Sequence, residues 1–182
     1  MLQEFAQAHD VKMVVLSIGA NDLNFGFIIG KCVTSYLLPS AVGSFCKDDA
    51  YVQNWVGSNT TQVVRANITQ GIINIATAMQ NAGYEDDEWT LGLQYYVNVL
   101  AEPSAMRYAE AGYNRQLKGG CGFRDEDAAW FGDKLIPLFN QTLSAAAADA
   151  QAERPALRVV TLDSQDSFAG RTLCHSSADR MG

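Results

Sequence analysis

The chain is poor in the features that would point to nucleic acid, metal or membrane. Only 13 lysines and arginines stand against 20 aspartates and glutamates, for a net charge of −7. The basic residues are scattered singly, and a nucleic-acid surface needs them clustered to displace counterions from phosphates. Only two histidines occur, His9 and His175, far apart, and no two of the four cysteines form a C-x-x-C pair. That pattern argues against a zinc site, and no metal is expected. No run of eighteen apolar residues exists, so no membrane-spanning helix is expected. The first residues, Met1-Leu2-Gln3-Glu4, lack the basic and apolar regions of a signal peptide, which for a secreted parent would lie upstream. No G-x-G-x-x-G or P-loop follows any predicted strand, which disfavours a nucleotide-binding module.

What remains is an ordinary globular composition. Hydrophobic residues are 48% and charged residues 18% of 182, enough to build a core in one domain spanning 1–182. Residues 12–18 read as a strand buried on both faces, ended by Gly19. Leu2–His9 before it read as the tail of a helix. Gly26, Gly30, Pro39, Gly43 and Gly57 make 20–60 a long loop region, with a short helix at Phe25–Ile29. Val64, Ile68, Ile72, Ile75 and Met79 predict an amphipathic helix over 61–82, capped by Thr60 or Thr61 and followed by Gly83. Glu85-Asp86-Asp87-Glu88 reads as a solvated turn. A second strand is expected at 93–99, with one of Tyr95 and Tyr96 facing the core, and another long loop at 103–125. A helical region capped by Asp125 should run to about Ala152, broken or restarted at Pro137. Its buried stripe would be Leu138, Phe139, Leu143, Ala146, Ala147 and Ala150, and 157–162 forms a third strand. The alternation implies an α/β fold with a parallel sheet, where ligands bind beyond the carboxyl ends of the strands. Three strands make a thin sheet, so further strands are expected from outside the chain, with an unpaired edge exposed here.

Cys32, Cys46, Cys121 and Cys174 permit three disulfide pairings. Cys32–Cys46 and Cys121–Cys174 are favoured, because each then brackets one loop region. Four buried free thiols in a reducing compartment are the alternative. Asn59, Asn67 and Asn140 each open an N-x-Thr triplet, compatible with secretion, although such triplets also arise by chance.

The chemistry-bearing segment is Gly19-Ala20-Asn21-Asp22. A glycine lets the chain turn sharply off the strand, and Asn21 can then aim a donor at an oxyanion. Asp22 is positioned to hold the turn through local backbone. Taken alone, the four residues also fit plain turn chemistry. In context, Val14 to Gly26 resembles the G-x-N-D block of the SGNH (GDSL-type) hydrolases. Cys32 and Cys46 follow it as in that family's disulfide-containing secreted branch. Gly119-Gly120-Cys121-Gly122-Phe123 with Asp127 and Trp130, then Leu135-Ile136-Pro137 and Asn140, is similar to the segment after the fourth strand of that branch. Phe168-Ala169-Gly170-Arg171-Thr172-Leu173-Cys174 is similar to its F-x-G-R-x-L-C stretch.

The resemblance implies a flavodoxin-like three-layer α/β/α sandwich and hydrolysis of carboxylic esters through a serine acyl-enzyme. It implies no cofactor, a small-molecule or lipid ester or an acylated carbohydrate as substrate, and a secreted location. Of the family's oxyanion hole only the asparagine maps here, onto Asn21. The family's Gly-Asp-Ser and His-Pro blocks do not occur in the sequence, so the nucleophile and general base are not identified. The expectation is a chain truncated at both ends, without its first strands and C-terminal helix, and inactive alone. A non-catalytic binding or scaffold module of the same fold is the alternative. Ser17 lies in an apolar strand and is expected to pack or serve the sheet. His175, with Thr172 three residues before and Asp179 four after, reads as an exposed loop histidine. Phe25, Phe27, Ile28 and Ile29 suit either an acyl pocket or core packing. Trp55, Trp89 and Trp130 read as packing anchors.

Overall fold

The computed structural model describes residues 1–38 and 44–178. Pro39, Gly43 and Asp179, singled out above, lie outside the described residues. Three parallel strands, β1 (Met13–Leu16), β2 (Thr90–Gln94) and β3 (Arg158–Leu162), form a sheet in that spatial order. Val14 pairs with Leu91, and Leu91 with Val159. The connections are helical, as a parallel sheet requires. By contacts the chain divides into two compact units, Met1–Gly19 with Ser58–Tyr95 and Asn140–Asp163, and Ala20–Gly57 with Tyr96–Phe139 and Ser164–Gly182.

The first unit holds the sheet, helix α1 (Leu2–Ala8), helix α4 (Ser58–Asn81) and most of α7 (Ile136–Glu153). Val64, Ile68, Ile72, Ala76 and Met79 form the buried stripe of α4, and Leu143, Ala146 and Ala150 that of α7. Leu91 and Leu93 of β2 are fully buried with them. Leu138, expected in the α7 stripe, is half-exposed. Thr69 ties the two helices by donating to the Ala146 carbonyl at 3.2 Å. The α4 helix starts at Ser58, so Thr60 and Thr61 lie inside its first turn and do not cap it. Thr61 donates its hydroxyl to the Ser58 carbonyl. The helix ends at Gly83 (φ +98°), where Tyr84 N–H reaches back to the Met79 carbonyl. The acidic turn after it is exposed at Glu85, Asp87 and Glu88 as expected, while Asp86 is half-buried and takes two hydrogen bonds from Arg154 at 2.8 and 2.9 Å.

Two strand expectations are corrected. β1 is not buried on both faces: Met13 is 50% and Val15 58% exposed, and Val160 of β3 joins them at 41%. Each outer strand pairs with β2 alone among the described residues, so both edges are unpaired and one sheet face carries these apolar side chains. The second strand is 90–94 rather than 93–99. Gly92 conceals it in the sequence, because an interior glycine reads as a breaker. Here a Cβ at Gly92 would come within 2.9 Å of Leu162 Cδ1, so neighbouring side chains fill the gap.

The second unit corrects the long-loop reading of 20–60. It contains α2 (Phe25–Leu37), a 3-10 turn (Cys46–Asp48) and α3 (Ala50–Val56), the last capped by Asp49, which accepts from Tyr51 and Val52 N–H. Gly26 and Gly30 sit in α2 with nothing within 4 Å of their would-be Cβ positions. Each costs about 1 kcal/mol of helix propensity. Ile28, Cys32 and Tyr36, four residues apart and buried, offset that cost. The 103–125 region holds two 3-10 turns and the four-residue helix α5 (Asn114–Leu117). Helix α6 (Asp125–Trp130) passes through a π-helical turn (Phe131–Leu135) into α7, with Pro137 as that helix's second residue. Arg124 occupies the N-cap position, so Asp125 is the first helical residue and not the cap. Its carboxylate pairs instead with the buried Arg115.

Cys32 is bonded to Cys46 and Cys121 to Cys174, the pairing favoured from the sequence. Asp127, fully buried, accepts from the Cys46 and Lys47 backbone N–H groups at 3.1 and 3.0 Å and so fixes the loop that carries Cys46. Burial pushes its carboxyl above the ordinary 3.8, against the pull of those donors, Lys47 and Arg124. A raised folded value means that the native state binds the proton more readily than the unfolded one. This group's contribution therefore grows as pH falls through the folded pKa toward 3.8. In thermal melts the stability gap between wild type and Asp127→Asn should widen on acidification across that window. A gap that narrows would refute the sign.

Candidate functional site at the end of the first strand

Beyond Leu16 the chain leaves the sheet through Ser17 and Ile18 to Gly19, at the carboxyl ends of the parallel strands. Gly19 is buried with φ +101°, a conformation L side chains avoid. A Cβ there would lie 2.9 Å from Ile68 Cδ1 and 4.0 Å from Leu143 Cδ2. Strain and collision act together, so Gly19→Ala should cost about 2 kcal/mol or more, read as a lower thermal midpoint. A change within 0.5 kcal/mol would show that the site can relax.

The turn itself belongs to the second unit. Phe25 N–H donates to the Ala20 carbonyl and Asn24 N–H to the Asn21 carbonyl, both at 3.0 Å. Asn24 occupies the N-cap position of α2 in the left-handed region (φ 51°), which asparagine tolerates better than most residues, and makes no side-chain capping bond. Asn21 is exposed, and its side chain takes no part in the turn's hydrogen bonds. Its carboxamide is thus free to face a ligand. Asp22 is exposed, and its carboxylate has no hydrogen-bond partner among the described residues. The turn is held by backbone bonds and by a residue that sequence reasoning missed: the Tyr96 hydroxyl, 2.8 Å from the donating Ala20 N–H. Tyr96 follows the carboxyl end of β2. Placing that strand at 90–94 would have singled Tyr96 out as a strand-end residue. Its ring and that of Phe25 pack with Phe139, at centroid distances of 6.1 and 5.6 Å, and Phe25 also meets Phe131 at 5.5 Å.

The remaining candidates fall elsewhere. Ser17 lies past the end of β1 and is exposed, contrary to the expectation that it packs or serves the sheet. His175 is half-buried rather than exposed, and its Nδ1 accepts from Ser177 N–H at 3.1 Å and lies 2.7 Å from Ser177 Oγ. Ile28 is fully buried, and Phe27 is 37% exposed beneath the Lys31 ammonium at 5.8 Å. Trp89 is buried, while Trp55 and Trp130 are half-buried. A cavity of about 120 Å³ lies by the first disulfide, lined by Lys31, Ser35, Phe45, Cys46 and Asp49 among others, and Asn21 is not one of its lining residues. Among the described residues no group of three His, Cys, Asp or Glu side chains is placed to hold a metal ion. No helix among them is long and apolar enough to cross a membrane.

Fold and site together define an α/β protein with a parallel sheet and an exposed asparagine turn at the carboxyl end of an edge strand. Comparison of the chain with family models, with curated proteins and with solved structures gives no match.

Proposed function

We propose that the chain carries the oxyanion-hole strand of an SGNH (GDSL-type) ester hydrolase, with Asn21 as a donor to the developing oxyanion. The observation that supports this best is the position of Asn21. It is exposed two residues beyond a glycine locked at φ +101°, at the carboxyl end of a parallel strand. In the reaction a serine oxygen attacks the ester carbonyl, and the carbonyl oxygen takes on negative charge that the Asn21 carboxamide N–H stabilises. The tetrahedral species then collapses to an acyl-enzyme that water hydrolyses. Gly19 aims the turn and Asp22 flanks it, while nucleophile and base are left unassigned. The flavodoxin-like α/β/α sandwich belongs to the same proposal, as does a carboxylic ester of a small molecule, lipid or acylated carbohydrate as substrate. Two disulfides are consistent with an oxidising compartment and support an extracellular location.

A second reading is a non-catalytic module of the same fold, which would bind an ester or glycan without cleaving it. It is favoured by the lack of any Gly-Asp-Ser or His-Pro in the 182 residues. The DNA on both sides of the reading frame separates the two. Codons for Gly-Asp-Ser before it and His-Pro after it, in a product that hydrolyses p-nitrophenyl butyrate, support the hydrolase. Their absence, with no turnover, sinks it and leaves the binding module.

A further inference from the structure

We infer that Asn59 and Asn67 are acceptors for N-linked glycan and that Asn140, which opens the third such triplet, is not. The inference stands independently of the ester-hydrolase reading. Asn59-Thr60-Thr61 and Asn67-Ile68-Thr69 supply the acceptor amide with a threonine two residues on, the form a glycosyl transferase recognises. Both asparagines lie on α4, and both are exposed. Neither carboxamide has a hydrogen-bond partner among the described residues, so no native contact is lost when Nδ2 is substituted. They lie away from the buried stripe of Val64, Ile68 and Ile72, and Val63, 61% exposed, sits between them in the helix. A bulky, solubilising sugar there meets solvent and shields an apolar side chain.

Asn140 differs in the acceptor itself: it is half-buried and already engaged in interactions, whereas Asn59 and Asn67 are exposed. A glycan at that point of α7 would work against packing. The two disulfides supply the remaining condition, because they form in the oxidising lumen where such transfer takes place. The donor is a lipid pyrophosphate-linked oligosaccharide. The Asn Nδ2 attacks the anomeric carbon, a C–N bond forms, the anomeric C–O bond to phosphate breaks, the amide gives up one proton and the lipid pyrophosphate leaves.

The test is to express the full chain behind a secretory leader in yeast and map the total lumenal and secreted pool by mass spectrometry after peptide-N-glycosidase treatment. That treatment converts each occupied asparagine to aspartate. The expected result is aspartate at 59 and 67 and unchanged asparagine at 140. Asn59→Gln and Asn67→Gln should each remove one mobility step on a gel, and Thr61→Ala should do the same as Asn59→Gln without touching the acceptor. Unmodified asparagine at 59 or 67 in the lumenal pool overturns the assignment at that residue, and glycan at Asn140 overturns the discrimination by burial. Because the sites are mapped on the unmutated chain, the outcome does not depend on whether a variant folds.

Discussion

Replacing Cys121 and Cys174 together by serine is expected to lower unfolding stability by about 4 kcal/mol. The bond links residues 53 apart, and the chain-entropy estimate for a loop of that size gives about that value. The Cys32–Cys46 bond, with a separation of 14, gives about 3 kcal/mol by the same reasoning. Local structure supports the larger figure. The segment around Cys174 is pinned by backbone bonds: Leu173 N–H to the Val99 carbonyl at 2.7 Å, Ala101 N–H to the Leu173 carbonyl at 3.1 Å, and Arg107 N–H to the Cys174 carbonyl at 2.9 Å. Cys174 itself sits at φ 62°, a conformation a non-glycine residue holds only under constraint. Without the disulfide that residue can relax and the pairing beside it loosens. Hydrogen exchange should therefore show lost protection first at Ala101, Leu173 and Arg107. A loss below 1 kcal/mol in denaturant titration would mean that the backbone bonds alone hold the segment.

Asn21→Ala, in a form of the protein that hydrolyses esters, should lower kcat about 100- to 1000-fold with little change in KM. One oxyanion donor contributes about 3–4 kcal/mol to the transition state and little to the ground state, where the carbonyl carries no full charge. Stability should hardly move, because Asn21 is exposed and the turn uses its backbone carbonyl, not its side chain. Asp22→Ala is the matched control. Its carboxylate is exposed and unpartnered among the described residues, so truncation should leave both stability and kcat nearly unchanged. An Asn21→Ala variant with wild-type kcat would remove the oxyanion role.

Legibility in the sequence followed local signal strength. The α4 stripe apart from Ile75, which is half-exposed while Ala76 beside it is buried, the α7 stripe apart from Leu138, and β3 were readable because apolar residues repeat at the helical period or run continuously through a strand. The start of α2 at Phe25 was readable, but its extension to Leu37 was hidden by Gly26 and Gly30, whose weak propensity is overridden by a buried stripe and a disulfide that no local window registers. β2 was displaced because Gly92 interrupts the short apolar run Trp89 to Leu93, although Leu162 packs over it from a strand 70 residues later. At the candidate site, the sharp turn at Gly19 was legible because turn chemistry is local, whereas Asn21 was singled out through the resemblance to the G-x-N-D block and not by the turn alone. Tyr96 was not, because its hydrogen bond to Ala20 spans 76 residues and leaves no pattern in either segment.

The two disulfides also set the topology of the chain as a covalent graph. Their loops, 32–46 and 121–174, neither overlap nor nest, so the molecule is a string with two closed rings. A single peptide-bond cut inside either ring leaves one covalent molecule of unchanged mass apart from the added water. On a non-reducing gel such a nick is silent, and it appears as two fragments only after reduction. A cut between residues 47 and 120 separates the rings at once. The ratio of reduced to non-reduced fragments in a timed protease digest therefore reports which stretch opened first, without any need to sequence the products.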